Sequence, residues 1–568
     1  MKKVIFLLAF MMISICFSQG TSADAFITKW TTTDPNQSIT ITISNNFSGY
    51  NFTVDWGDGQ TTTNATDDVT HEYVNADDYQ VVITGVFPAL RLQSSLLDEV
   101  VQWGTNPWQS TELMFAGSQN MNITATDTPD LTNVTSMRNM FNLCSSMNAN
   151  INTWDVNNVI NFEGVFRGAA IFNQPLDNWD VSNAMNLSNM FFGARSFNQN
   201  INNWKTSNVT TTAAMFRDAI TFDEPLDDWD MSNVEDVSEM FRGALIFNQN
   251  LDDWITDKFN NTGFMFMVAQ KFNQSLSNWN MENVTNISSM FNGAVDFNQN
   301  INNWNTSKVE NTSGAFDNAV SFNQPLDQWD MSNVTDMSSM FAEAVSFNQN
   351  IDNWDVSSVT SASVLFLGAT SFNQPLNSWD VRNIQGEFEA VFENASSFNQ
   401  SLSNWRLEKV EALTNFFDGS GMSTQNYDAT LVGWSAMTTA NFSVRLGAAG
   451  ITHCQTGQDA KDLIISKFNW RFFDDGLDTS CTTLSAGEFE NSETSRILFD
   501  YTTKQLQVTS SEKSILSYFD ITGRKINTKN VEKGRTIIDL SEIASSGLYI
   551  FRLTSGESNK SISKKIVM

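Results

Sequence analysis

Tryptophan stands at 154, 179, 204, 229, 254, 279, 304, 329, 354 and 379, each 25 residues after the last, and at 405 after one inserted residue. Phenylalanine follows twelve residues later, from Phe166 to Phe366, and a second phenylalanine six beyond that, from Phe172 to Phe372. Fixed-length repetition on this scale means one small supersecondary unit copied many times. A 25-residue unit cannot bury its own apolar face, so neighbours must stack. Phe141 and Met147 carry the phase backwards, and Phe115 marks an opening coil.

Residues 322–344 show the unit. Val334, Met337, Met340, Phe341 and Ala344 recur at +3, +6, +7 and +10, the spacing of one helix face. Ser332 or Asn333 can cap that helix. Trp329 and Met331 lie two apart, on one side of an extended segment over 326–331. The spacing predicts a short strand, a turn and a short helix in each coil. A 50-residue alternation overlies the repeat: Pro175, Pro225, Pro325 and Pro375 alternate with Asn200, Asn250, Asn300 and Asn350, with Ser275 breaking the proline series. Duplication of a two-coil unit accounts for it most simply.

The balance of 63 Asp+Glu against 32 Lys+Arg, net −31, argues against nucleic acid as partner, since neutralising phosphates drives that binding. Two histidines and four cysteines leave little for a zinc site or a repeated acid/base centre. Charge is uneven. Residues 496–568 carry twelve Lys/Arg against seven Asp/Glu, in short alternating runs that suggest antiparallel strands. Met1-Lys2-Lys3, the apolar run 4–15 and small residues before a cut after Ser18 describe a secretory signal peptide, residues 1–18. No other segment reaches ~18 consecutive apolar residues, so no transmembrane helix is expected.

The unit Phe-Asn-Gln-Pro-Leu-Asp-Xaa-Trp-Asp-Met/Val-Ser-Asn-Val-Thr-Xaa-Met-Ser-Xaa-Met-Phe, at 322–341 and nearly so at 172–191, resembles the BspA-like surface repeats. These are leucine-rich-repeat relatives first noted in mycoplasma lipoproteins. Lys258-Phe259 and Gln385-Gly386-Glu387 depart from it. The resemblance implies a cell-surface solenoid and adhesion. The fold expected is therefore an α/β repeat solenoid of leucine-rich-repeat-like, 25-residue strand-turn-helix coils, flanked by small all-β domains. Phe519-Asp520-Ile521-Thr522-Gly523-Arg524, Ile538-Asp539-Leu540-Ser541, Gly547 to Leu553 and the basic-apolar end Lys564-Lys565-Ile566-Val567-Met568 resemble the C-terminal sorting domain of type IX secretion cargo in Bacteroidota. That implies export machinery as a partner, through residues 490–568. It also implies a secreted protein or one on the outer-membrane surface of a Gram-negative bacterium. Trp56-Gly57-Asp58-Gly59, His71, Tyr73 and Tyr79 are similar to a PKD-type immunoglobulin-like domain at 24–90. Residues 91–430 form the repeat region and 431–485 a C-terminal cap.

Catalytic candidates are poor. His71 beside Asp55 or Asp58 reads as a packing histidine. Asp227-Asp228 and Asp252-Asp253 are adjacent, so on a strand they point apart. His453-Cys454 suggests a thiol nucleophile, but Cys454 and Cys481 are placed to form a disulfide in an oxidising compartment, which removes it. Cys144 reads as a small buried apolar residue. No cofactor is expected. Asp55-Trp56-Gly57-Asp58-Gly59 offers oxygens to a structural calcium without a complete calcium-loop pattern. The tryptophan ladder reads as core, since eleven exposed indoles would make too large an apolar patch. The residues after each tryptophan, Asp155, Asp180, Lys205, Asp230, Ile255 and Asn280 through Arg406, read as a solvated, mostly acidic stripe. The chain is expected to be a non-enzymatic binding solenoid for protein or polysaccharide, with a passive structural or matrix component as the alternative and a hydrolase as the least supported reading.

Overall fold

In the computed structural model of the protein, residues 23–481, 495–500, 505–510, 512–519, 524–540, 548–555 and 561–567 are described. The signal-peptide segment 1–18 and the turn at 520–523 lie outside them. The chain divides into two compact units, Met1–Gly476 and Leu477–Met568.

The first unit opens with β1 (Phe26–Thr31), β2 (Gln37–Ile43), β3 (Asn51–Asp55), β4 (Thr61–Ala65), β5 (Val69–Tyr73), β6 (Asp78–Val86), β7 (Leu90–Arg91), β8 (Leu97–Gln102) and β9 (Asn122–Ile123). Strict alternation in β2 buries Ile39, Ile41 and Ile43 on one face. One sheet runs β4-β3-β6-β1-β8-β9 and the other β5-β2-β7. The pairing of β8 with β9 is parallel, which carries the N-terminal sheet into the first repeat.

The repeats do not form strand-turn-helix coils. Among the described residues there are two helices, α1 (Thr424–Ser435) and α2 (Gln455–Phe468), both beyond the tryptophan ladder. The expected α/β repeat solenoid is overturned: the chain is mostly strands in several small sheets, and each repeat is a train of turns. Hydrogen bonding explains why. The amides of Met337, Ser339, Phe341 and Glu343 donate to the carbonyls of Ser361, Ser363, Leu365 and Leu367 in the next coil, not four residues back. Met340, Ala342 and Ala344 close three-residue turns between them. Ser339 and Glu343 sit at φ 56° and 52°, left-handed positions that interrupt any right-handed helix. The extended segment fails likewise, because the Trp329 amide turns back to the Leu326 carbonyl at 3.1 Å.

Neighbouring coils meet through single parallel bridges, Ser136 to Asn161 to Asn186 and onward in steps of 25 to Ser361. Where the inserted residue falls, β10 (Gln385–Glu387) pairs parallel with β11 (Lys409–Ala412) across an irregularity in register. Past α1, β12 (Arg445–Ala448) pairs parallel with β13 (Arg471–Asp474), which follows α2. A single apolar core runs from Phe26 to Trp470.

The second unit holds β14 (Ser495–Asp500), β15 (Gln505–Ser510), β16 (Ser514–Phe519), β17 (Lys525–Val531), β18 (Gly534–Asp539), β19 (Leu548–Ser555) and β20 (Ser561–Val567). Its two antiparallel sheets run β14-β15-β18 and β17-β16-β19-β20. Leu506, Val508, Leu516, Tyr518 and Phe551 supply its separate core.

Candidate binding surface

Three ladders fix the coil backbone and so decide which side chains remain for contact. The tryptophans are buried and stack, with ring centroids 6.1–6.4 Å apart from Trp279 to Trp329. From Trp179 to Trp379 each indole N–H donates to a carbonyl 28 residues earlier, as Trp304 to Leu276 and Trp329 to Ile301, at 2.9 and 3.0 Å. The Phe166–Phe366 series stacks at 5.5–5.7 Å. A third ladder runs through asparagine side chains, with Asp223 taking the place of asparagine in one coil. The Oδ1 of Asn298 accepts the Asn323 amide and that of Asn323 the Asn348 amide, at 2.9 and 3.0 Å. It begins at Asn122, which accepts the Asn148 amide, and ends when Asn399 accepts the amide of Ser423, whose own hydroxyl caps α1. Trp434 in α1 also donates to the Leu402 carbonyl, so the helix takes the next rung of both ladders.

The acidic stripe is built into turns. Asp155, Asp180, Asp230, Asp330 and Asp355 each accept the amide two residues on. Hydrogen bonds from Ser182, Ser232 and Ser357 hold the carboxyls of Asp180, Asp230 and Asp355 below the ordinary aspartate range. The 50-residue alternation has a structural cause as well. In the Asn coils, Asn200 and Asn300 accept the amides of Asn202 and Asn302. Those two side chains then accept the amides of Asp228 and Gln328 in the following Pro coil. At the departure from the repeat, Phe259 is buried against Trp279, and Lys258 Nζ donates to Asn233 Oδ1 at 2.6 Å.

The catalytic candidates are drawn into structural bonds. His71 Nε2 lies 2.8 Å from Asp58 Oδ2 and its ring stacks on Trp56 at 5.0 Å. Asp55 and Asp58 accept the amides of Gly57 and Gln60, the oxygens considered for calcium. Asp227 and Asp228 both accept from Asn202 Nδ2, and Asp252 from the Asn278 amide. Cys454 and Cys481 are disulfide-bonded. His453 is fully buried with Nε2 3.0 Å from Lys461 Nζ, which in turn holds Asp474 at 2.8 Å. Tyr427 donates to the same carboxylate at 2.9 Å. Cys144 is free, its Sγ donating to the Phe115 carbonyl, and burial pushes its thiol well up. Among the described residues no group of three or more His, Cys, Asp or Glu gathers to hold a metal.

One open groove of about 700 Å³ crosses the first coils, lined by Thr132, Asn133, Thr135, Asn158, Ile160, Asn183, Met185 and Asn208. Ile160 and Met185 are 41 % and 48 % exposed. The wall is rigid: the side-chain amides of Asn158, Asn183 and Asn208 donate to carbonyls 26 residues earlier, at 2.8–3.0 Å. The Met185 and Thr210 amides bond back to Ile160 and Met185, fixing the floor. None of these residues stands out in the unit consensus. Their signal was the side chain six places after each tryptophan, which changes from Ile160 to Met185, Thr210 and Glu235 while its neighbours recur.

The repeat region matches the family described as mycoplasma protein of unknown function, DUF285, over residues 109–228, 177–279, 213–329 and 314–430, together more than half of the chain. Residues 502–568 match the secretion system C-terminal sorting domain, which marks a secreted or cell-surface protein of the type IX route and implies contact with that export machinery. The BspA-like, leucine-rich-repeat and PKD-like resemblances find no support. No curated protein and no solved structure matches the chain. No helix among the described residues is long and apolar enough to cross a membrane.

Proposed function

The chain belongs to the DUF285 family, and from that premise we propose that it is an exported, non-enzymatic binding protein whose ligand is an extended protein or polysaccharide lying along the repeats. The observation that carries the reading is the groove over the first coils. Two exposed apolar side chains, Ile160 and Met185, lie in a row of fixed amides and hydroxyls, the mixture of apolar floor and placed polar groups that ligand sites use. The catalytic candidates, by contrast, are engaged in packing and turns, which favours binding over chemistry. The sorting domain supports a place outside the cell for such contact.

The test is binding of the purified chain to a panel of polysaccharides, matrix proteins and whole cells, compared with an Ile160→Asp/Met185→Asp variant. Saturable binding that falls at least about tenfold in the folded variant supports the proposal. No binding to any member of the panel, from folded protein, transfers the weight to a passive structural role.

A further inference from the structure

One face of the repeat region carries a charge pattern complementary to itself. It is formed by the side chains nine, ten, thirteen and fourteen residues after each tryptophan, counting an opening coil from residue 129 and one extra residue in the coil of Trp379. Contacts show that these positions share a face. Arg138 pairs with Glu163 at 3.5 Å, and Arg217 and Arg242 both reach Glu239, at 2.5 and 2.9 Å. Asn415 donates to Glu393 at 3.4 Å.

In the first five of the twelve coils these positions hold four arginines and three carboxylates; in the last five they hold five carboxylates and no cation. Between the halves, Phe264, Met267 and Val268 make an apolar patch. Phe264 and Val268 stand at φ 60° and Val364 at 63°, positions that other coils fill with Gly, Asn, Ala, Ser, Asp, Glu or Leu. A bulky or β-branched residue in that region is strained, so its apolar side chain is kept there against a local cost.

We infer that this face pairs with the same face of a second copy, antiparallel, about a two-fold axis between the coils of Trp254 and Trp279. Four of the six coil pairs then set an arginine opposite a carboxylate and a fifth sets apolar against apolar, while Glu163, Asp218 and Glu239 also face carboxylates. Arg138 faces Asp418, and Arg167 faces Glu389 and Glu393. Phe192 faces Val364 and Leu367. Arg217 faces Glu343, and Arg242 faces Asp317. The middle coils bring Phe264, Met267 and Val268 beside the axis, where the two apolar patches adjoin. A two-fold interface needs this self-complementarity, because residue i meets j and j meets i. Arg167 packs its guanidinium on Phe192 at 4.9 Å, and Asp317 is half-buried with its carboxyl raised by burial and by nearby Glu343. A facing cation relieves the second and a facing carboxylate uses the first. The pairing is independent of the groove.

Sedimentation velocity of the full chain tests it. The expected result is a dimer at low salt that dissociates as salt is added. Arg167→Glu and Glu393→Arg should each weaken the dimer at least about tenfold, since each contact occurs twice, and both changes in one chain should restore it. Register is checked separately: Arg167→Cys with Glu393→Cys should give a disulfide-linked dimer, and Arg167→Cys with Asp317→Cys should not. A monomer at every concentration, a dimer indifferent to either reversal, or cross-linking of both cysteine pairs alike would overturn the assignment.

Discussion

From Trp179 onward each ladder tryptophan does two things, filling the space between coils and holding a carbonyl of the coil before. Truncation therefore removes a large buried ring and strands an acceptor. Trp304→Ala should cost roughly 3–5 kcal/mol by denaturant unfolding, and Trp304→Phe less, about 1–3, from the lost hydrogen bond and the smaller ring together. Asn298→Ala leaves the Asn323 amide without its acceptor and should cost about 1–3 kcal/mol. The tryptophan role was legible because a large apolar side chain in fixed phase has one economical place, the core. The asparagine role was not, since its partner lies 25 residues away and nothing local marks it. Acid stability follows from the turn aspartates. Asp180, Asp230 and Asp355 lie below the ordinary value of 3.8 when folded, so the unfolded chain takes up protons first as pH falls. Their stabilisation is complete above that value and is lost as pH drops through the folded range. The triple Asp→Asn variant keeps the acceptors and should show a shallower loss below about pH 4 in unfolding measured against pH.

At the scale of elements, the missed helix has a clear origin. Apolar spacing at +3, +6, +7 and +10 serves a train of turns as well as a helix, since both return the chain to the core every three or four residues. The discriminating signal was present in Gly168, Gly193, Gly243, Gly293 and Gly368, which recur inside the expected helix at left-handed φ. α1 is capped by Ser423, whose hydroxyl accepts the Asn426 amide. Its docking depends on Gly433, where a Cβ would overlap the backbone of Ser403 in the last coil. Gly433→Ala should cost about 1–3 kcal/mol and loosen α1 first, as seen by hydrogen exchange. The Asn and Pro coils are distinct parts as well. Removing 50 residues in register joins unlike coils as before, while removing 25 sets like against like and breaks the bond of Asn202 or Asn302 to the next coil. The 50-residue deletion should unfold nearer to the parent temperature than the 25-residue one.

At the scale of the repeats, the stacked coils form a backbone frame on which a few rows vary, and the proposed binding rests on those rows. The basic C-terminal domain is an address rather than part of that surface, and its short alternating strands were plain in the sequence. The groove was hidden because it exists only between coils. The most direct measurement compares ligand binding by the chain with that of two deletions of equal size. One lacks residues 151–200, which carry the groove, and the other lacks 301–350, far from it. Binding lost with the first deletion and kept with the second is the predicted result. Equal binding by both folded deletions would contradict a groove-borne function.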